Sequence, residues 1–400
     1  MTLRRLRLLT AGESHGPGLA GSLEGLPADL RVSTAKVDKE LARRQHGYGS
    51  GRRMQIERDR VQWTAGLRFG RTLGSPLAFS IPNRDWDNWT ERMSVEPTAA
   101  SRRPRPITMA RPGHADLAGA IKYDTGDIRN VLERASARST APRVAAGAVC
   151  RQLLEACGVR IWSFVDQLGP VQAFGGVDEP AAHVPEGWLA SDRREPTPLR
   201  CPDPEAEVAM MAEVDAAIEA GDSVGGSFVV VAEGMPIGIG SNAEWDTRID
   251  AAVAEALMGI QATKGVEIGI GFGAVGKRGS QVHDVVRPGA PGWERTTNRA
   301  GGTEGGMTNG AAVVARVAVK PVATLRKPLD SVDLASGEVR RAHIERSDVA
   351  IIPRAAVVGE AMLAIALADA LLADMGGDTI GDVKAAVRRR RRRSEGPRGS

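Results

Sequence analysis

The strands of this chain come in pairs and its helices in blocks, and that ordering constrains the fold more than any single motif does. Alternation of apolar and polar residues predicts a strand at the N-terminus (Arg5, Leu6, Arg7, Leu8); 54–64 and 77–81, separated by the turn signals Gly66, Gly70 and Gly74, and 313–319 also read as strands. It also predicts a hairpin of 227–233 with 236–240 around Gly234-Met235. Helical spacing appears at 34–46, starting at Ser33 or Thr34 and presenting Val37 and Leu41. After Pro142, residues Cys150, Leu153, Leu154 and Cys157 fall at i, i+3, i+4 and i+7, and Gly158 ends that helix. Further helices are expected at 205–220, closed by Gly221, and from a cap at Asp246 or Thr247 with Ile249, Val253, Ala256, Leu257 and Ile260 on one face. The last covers 355–375 and stops at Gly376-Gly377. A chain without regular βαβ alternation reads as α+β with antiparallel sheet.

No repeat or linker divides the sequence, so 1–387 is expected to be one catalytic domain with loop insertions. The stretches 83–112 and 169–206 are long loops, a kind of segment that is usually functional or disordered. The apolar stretch 355–375 carries Glu360, Asp369 and Asp374, which suits a buried helix and not a membrane span. The pI of 9.1 resembles a nucleic-acid signal but is local. Residues 388–400 carry +6, so the other 387 residues sum to −2 against a total of +4. That arginine-rich segment is read as a disordered tail whose like charges repel. A nucleic-acid contact would be confined to it.

Residues 1–10 hold three arginines and no continuous apolar run, unlike a signal peptide, so the cytoplasm is the default compartment. The three cysteines, Cys150, Cys157 and Cys201, have neither ligand spacing nor an even count, so no zinc site, other metal or disulfide framework is expected. Neither a Rossmann glycine fingerprint followed by an acidic residue nor a phosphate-binding P-loop is present.

Three polar-and-glycine clusters stand out: Gly12-Glu13-Ser14-His15-Gly16, Arg111-Pro112-Gly113-His114-Ala115-Asp116, and the run 301–310. His15 and His114 sit in glycine-rich loops where the backbone can approach a ligand, and imidazole suits proton transfer near neutral pH. Asp116 is either a partner of His114 or a helix N-cap. Arg43, Arg44, Arg52 and Arg53 bracket a glycine-rich loop, Arg134 and Arg138 stand four apart, and Arg346 and Arg354 follow later. Guanidinium groups hold phosphates and carboxylates bidentately. The small residues of 301–310, and Lys320 with Thr324 after a strand, suit close approach to a phosphorylated or flat ligand. The residues alone thus point to an enzyme that handles a small polyanion by acid–base steps, with room for a phosphorylated cofactor.

Six segments in register closely resemble the chorismate synthase family. They are Thr10-Ala11-Gly12-Glu13-Ser14-His15-Gly16, 111–116, Glu133-Arg134-Ala135-Ser136-Ala137-Arg138, 258–269, 301–310 and Arg346-Ser347-Asp348-Val349, and the likeness runs from residue 10 to about 380. The resemblance implies a β-α-β sandwich fold, a homotetramer, and conversion of 5-enolpyruvylshikimate 3-phosphate to chorismate and phosphate. That is an anti-1,4-elimination, the last step of the shikimate pathway, using reduced FMN with no net redox change. It implies that His15 protonates the departing phosphate, that His114 protonates or supports the flavin, and that Asp348 helps deprotonate flavin N5. It places Arg134, Ala135, Ser136, Gln261, Ala262, Gly305, Lys320, Pro321, Val322, Ala323, Thr324 and Arg346 at the FMN, and Ser14, Arg44, Arg53 and Arg138 at the substrate. Relatives often carry an arginine where this chain has Ser50, and Arg52 stands nearby to compensate. A flavin reductase is the competing flavin-dependent reading. With no extra domain visible, an external reductase is the expected source of reduced FMN.

Overall fold

The structure, a computed structural model, describes residues 4–49, 59–97, 99, 104–185, 188, 197–289, 292–342 and 348–395. Its framework begins with β1 (Arg7–Ala11), β2 (Gly18–Glu24), α1 (Thr34–Gln45), β3 (Gln62–Ala65) and β4 (Leu77–Pro82). Next come α2 (Asp116–Tyr123), α3 (Arg129–Ala135), α4 (Ala141–Ala156), β5 (Arg160–Leu168), β6 (Val171–Gln172) and α5 (Pro204–Ala220). It ends with β7 (Gly226–Glu233), α6 (Ile249–Met258), β8 (Thr263–Ile268), β9 (Val313–Val319), α7 (Ile352–Met375) and α8 (Ile380–Arg392).

Two antiparallel sheets enclose a layer of helices. The first has the order β1-β2-β4-β3, with Leu8 opposite Leu23 and Leu19 opposite Ile81. The second has the order β8-β9-β7-β5-β6, with Val317 opposite Phe228 and Phe228 opposite Val165. Alternation sends Leu77, Phe79 and Ile81 of β4, and Val313, Ala315, Val317 and Val319 of β9, into the core. Helix α4 packs on the first sheet and on α7, and α7 packs on β5 and β7 of the second. This is the β-α-β sandwich, an α+β fold. Gly147 sets the approach of the two central helices, since a Cβ there would lie 2.6 Å from Ala361 Cα.

Helix α7 is long and apolar enough to cross a membrane, but it is buried through its apolar length as the core helix of the sandwich. Its acidic residues are used internally. Asp369 accepts the backbone N–H groups of Arg4, Arg5 and Leu6 at 2.7–3.1 Å, pinning the segment that leads into β1. Glu360 accepts from Arg43, Arg151, Arg200 and Ser163.

Several expectations are corrected. Residues 236–240 do not pair with β7, because both edges of β7 are taken by β5 and β9. Ile239 instead donates to Thr308 Oγ1 at 2.9 Å. Of 54–64, the described part forms a strand only from Gln62, and it runs on to Ala65. Asp246 and Thr247 lie in a separate 3-10 turn, and α6 starts after Arg248. The arginine run is not a disordered tail over its described part. Helix α8 buries Val383, Ala386 and Val387 and runs through Arg392. Arg390 donates to the Gly238 carbonyl at 2.6 Å and Arg391 to those of Cys157 and Gly234 at 2.8 Å. Cations in a last helical turn also face the negative end of the helix dipole. Residues 396–400 lie outside the described residues.

Candidate active site

A cavity of about 540 Å³ opens where the β1–β2 loop, the α3–α4 turn, the 111–115 loop, the 320–324 loop and the start of α7 converge. His15 reaches it from the β1–β2 loop. The His15 backbone donates to Glu133 Oε2 at 2.8 Å, and Nδ1 lies 2.9 Å from both Glu133 oxygens. Burial alone would raise the Glu133 carboxyl, but hydrogen bonds and charge from His15, with Arg129 beside it, hold it below its usual range. An ionised Glu133 fixes the proton of His15 on Nδ1 and leaves Nε2 on the far side of the ring. Ser14 is buried beside this pair and accepts from Ser136 Oγ at 3.1 Å.

His114 has the same kind of support. Asp116 caps no helix. Its carboxylate takes His114 Nδ1, Arg111 Nε at 2.8 Å and Arg111 Nη2 at 3.1 Å. Burial pushes that carboxyl up, yet the bonds and charges of His114 and Arg111 outweigh it and hold it well below the carboxylate range. Arg111 reaches Thr324 Oγ1 at 3.3 Å and Lys320 Nζ donates to the Gly113 carbonyl, so the two loops are tied together.

At the α7 end, Arg44, Arg138 and Arg354 form a buried cationic wall. Asp59 takes Arg44 at 2.6 Å and Arg138 at 3.2 Å, and Asp348 takes Arg354 at 2.5 Å. Burial pulls the Arg44 guanidinium below its ordinary value; Asp59 opposes this, while Arg354 and Arg138 add to it. Crowded cations of this kind invite an anion.

Of the sequence candidates, Ser14, His15, Arg44, His114, Ala135, Ser136, Arg138, Gln261, Ala262, Lys320, Pro321, Val322, Ala323, Thr324 and Asp348 all line the cavity. Arg134 does not; its guanidinium donates to the carbonyls of Gly12 and Thr10 at 3.1 and 2.9 Å and braces the His15 loop. It also does not share a helix with Arg138, because α3 ends at Ala135 and a 3-10 turn follows. Gly305 and its cluster do not line the cavity either. The glycines there serve a close chain approach: a Cβ on Gly301 would lie 2.6 Å from Gly269 Cα. Arg53, Arg346, Ser50 and Arg52 lie outside the described residues. Sequence reasoning gave no role to Glu133, Asp59, Lys264 or Trp89. Glu133 lay inside a quoted motif, but its partner is 118 residues away.

Among the described residues six cationic side chains line the cavity, Arg44, Arg111, Arg138, Lys264, Lys320 and Arg354, with two carboxylate-held histidines among them. The fold and site define a β-α-β sandwich enzyme that performs acid–base chemistry on a polyanion. The chorismate synthase family model matches residues 6–372. A chorismate synthase of Aquifex aeolicus is 51% identical over 386 residues, covering 96% of this chain and 97% of the relative. That of Symbiobacterium thermophilum is 53% identical, covering 94% and 96%. A crystal structure of chorismate synthase superposes with a TM-score of 0.78 at 41% identity, covering 98% of this chain and 99% of the other. The chain belongs to the chorismate synthase family.

Proposed function

We propose that this chain eliminates phosphate from 5-enolpyruvylshikimate 3-phosphate to give chorismate, with reduced FMN bound beside the substrate and no net redox change. The observation that carries the proposal is the cavity itself: two histidines held by buried carboxylates, facing six cations. The substrate carries one phosphate and two carboxylates, and Arg44, Arg138 and Arg354 offer planar donors matched to such groups. His15 protonates the departing phosphate oxygen from Nε2, while Glu133 stabilises the imidazolium at Nδ1. Asp348, on the opposite side of the charge balance from Arg354, takes part in carrying the C6 proton away.

The residues present fit a flavin. Gln261 Oε1 and Thr263 Oγ1 are buried at the cavity without a hydrogen-bond partner among the described residues. Ala262 between them is held at φ 68°, which an alanine adopts only at a cost of about 1–2 kcal/mol. Ala135, Ser136, Gln261, Ala262 and the 320–324 loop would hold the group, with His114 supporting it through the proton on its ring. Gly305 and Arg346 remain proposed FMN contacts and Arg53 a substrate contact; Gly305 does not line the described cavity, and Arg346 and Arg53 lie outside the described residues. When bound, reduced FMN supplies electron density that helps the phosphate leave and ends in its starting redox state. An external flavin reductase supplies it. The homotetramer and the cytoplasmic location are proposed on the family resemblance, and association of copies would cover exposed apolar side chains such as Phe272 and Val275.

The test is anaerobic turnover of 5-enolpyruvylshikimate 3-phosphate with chemically reduced FMN. A folded, flavin-binding protein that releases neither phosphate nor chorismate refutes the proposal. His15→Ala and His114→Ala each lower turnover by about two to four orders of magnitude. A near-wild-type rate in either removes that residue from the mechanism.

A further inference from the structure

Trp89 lies between β4 and α2, outside every motif cluster, and the reaction scheme above makes no use of it. Its indole is stacked on the His15 ring, with centroids 3.7 Å apart and planes inclined by 24°. The stack is built into the loop. Trp89 Nε1 donates to Asp85 Oδ2 at 2.8 Å, and the Asp85 backbone N–H donates to Asn83 Oδ1 at 3.1 Å. Asn83 Nδ2 donates to the Gly16 carbonyl at 2.8 Å, and its backbone N–H to that of Pro17 at 2.9 Å. The loop carrying the indole is thereby fastened to the loop carrying the imidazole, within two residues of His15. From α3, Arg129 lies 5.6 Å over the indole and reaches Glu133 Oε1 at 3.2 Å. Arg92 lies 5.5 Å over the same ring.

Among the described residues, Asp85 and Glu133 hydrogen-bond to the pair, and Arg92 and Arg129 lie over the indole. A hydrogen bond at Nδ1 by itself fixes one atom of an imidazole and not its plane. A flat face 3.7 Å away removes that freedom. We propose that Trp89 is a positioning residue for His15, setting the plane of the imidazole and with it the line along which Nε2 meets the departing phosphate. The inference rests on the reaction proposed above, and it concerns orientation alone.

The experiment is a double-mutant cycle with a spectroscopic arm. In the His15 background, Trp89→Leu lowers kcat by about 10- to 100-fold, the range a small misplacement of a reacting group commands. KM stays within about twofold, because the substrate's anionic groups are held elsewhere. Trp89→Phe keeps a flat face and retains kcat within about threefold. In the His15→Ala background, Trp89→Leu changes single-turnover rate by less than about twofold, since there is no imidazole to orient. In the free protein, labelled at histidine Cε1, the His15 resonance moves on Trp89→Leu as the indole ring current is lost. Equal losses in both backgrounds, or wild-type kcat in Trp89→Leu, overturn the role. An unmoved His15 resonance overturns the stack itself, whatever the reaction proves to be. Absence of turnover in the wild-type protein refutes the reaction, and the resonance arm still decides the stacking.

Discussion

Replacing Glu360 by glutamine removes one negative charge from the centre of the fold and almost no volume. The side chain is 2% exposed, and four of its five hydrogen bonds come from guanidinium groups. Two of the three arginines keep other carboxylates: Arg43 reaches Glu40 at 2.5 Å, and Arg151 reaches Glu40 and Glu155 at 3.5 and 3.6 Å. Arg200 does not. Among the described residues its guanidinium donates only to Glu360 and Ser163. Burial, with the Arg43 charge adding to it, pulls the Arg200 guanidinium down to about 10 even with Glu360 in place. The variant therefore strands a buried cation, at a cost of about 3–5 kcal/mol. With an unfolding entropy near 2.1 cal/mol/K per residue, that corresponds to a fall in Tm of about 4–6 °C for a chain of this size.

The pH dependence has a definite sign. Burial raises the Glu360 carboxyl, but Arg43, Arg151 and Arg200 outweigh it and leave the folded value below the unfolded one. The contribution is complete above the unfolded carboxylate value of about 4.3 and is lost as pH falls below it. Thermal unfolding followed by circular dichroism, at neutral pH and near the acid limit of solubility, gives both numbers. A Glu360→Gln protein that melts with the wild type at neutral pH refutes the reasoning. So does a gap that widens on acidification.

Glu133→Gln keeps an acceptor for His15 Nδ1 but removes the charge that stabilises the imidazolium, and kcat falls by about 100-fold. The Glu133 carboxyl is held below its usual range against the pull of burial, so its support is full above the ordinary carboxylate value and fails only in stronger acid; a kcat–pH profile of both proteins checks this. Gly147→Ala forces a methyl group against Ala361 and costs about 1–3 kcal/mol, read by denaturant unfolding, while turnover per folded molecule is unchanged.

Much of the frame was legible because it is local. Strand β9 is marked by the valine-rich run from Val313 to Val319, and α1, α4, α5 and α7 announce themselves through caps, spacing and terminal glycines. The failures are non-local. Residues 236–240 alternate like a strand, but the edge they would pair with belongs to β9, some 80 residues later in the chain. The arginine run repels itself in isolation, and the carbonyls of Cys157, Gly234 and Gly238 that receive two of its members are invisible in the sequence. The site divides in the same way. His15 and His114 were marked by their glycine-rich loops, whereas Glu133, Asp59 and Trp89 become functional only through partners that folding delivers. Glycine richness at 301–310 does not separate the two uses of glycine, because dense turns and ligand approach leave the same trace in composition.

Helix α7 spans about 36 Å from end to end, and three stations along it face different tasks. Arg354 stands in the cavity wall, Glu360 holds the arginine cluster one turn and a half later, and Asp369 grips the backbone that leads to β1 and His15. Both flanks of the reaction centre are thus gauged from one rigid rod. The expected outcome is that alignment at Arg354 and along β1 is lost together with the helix, so that heat inactivation follows the melting transition.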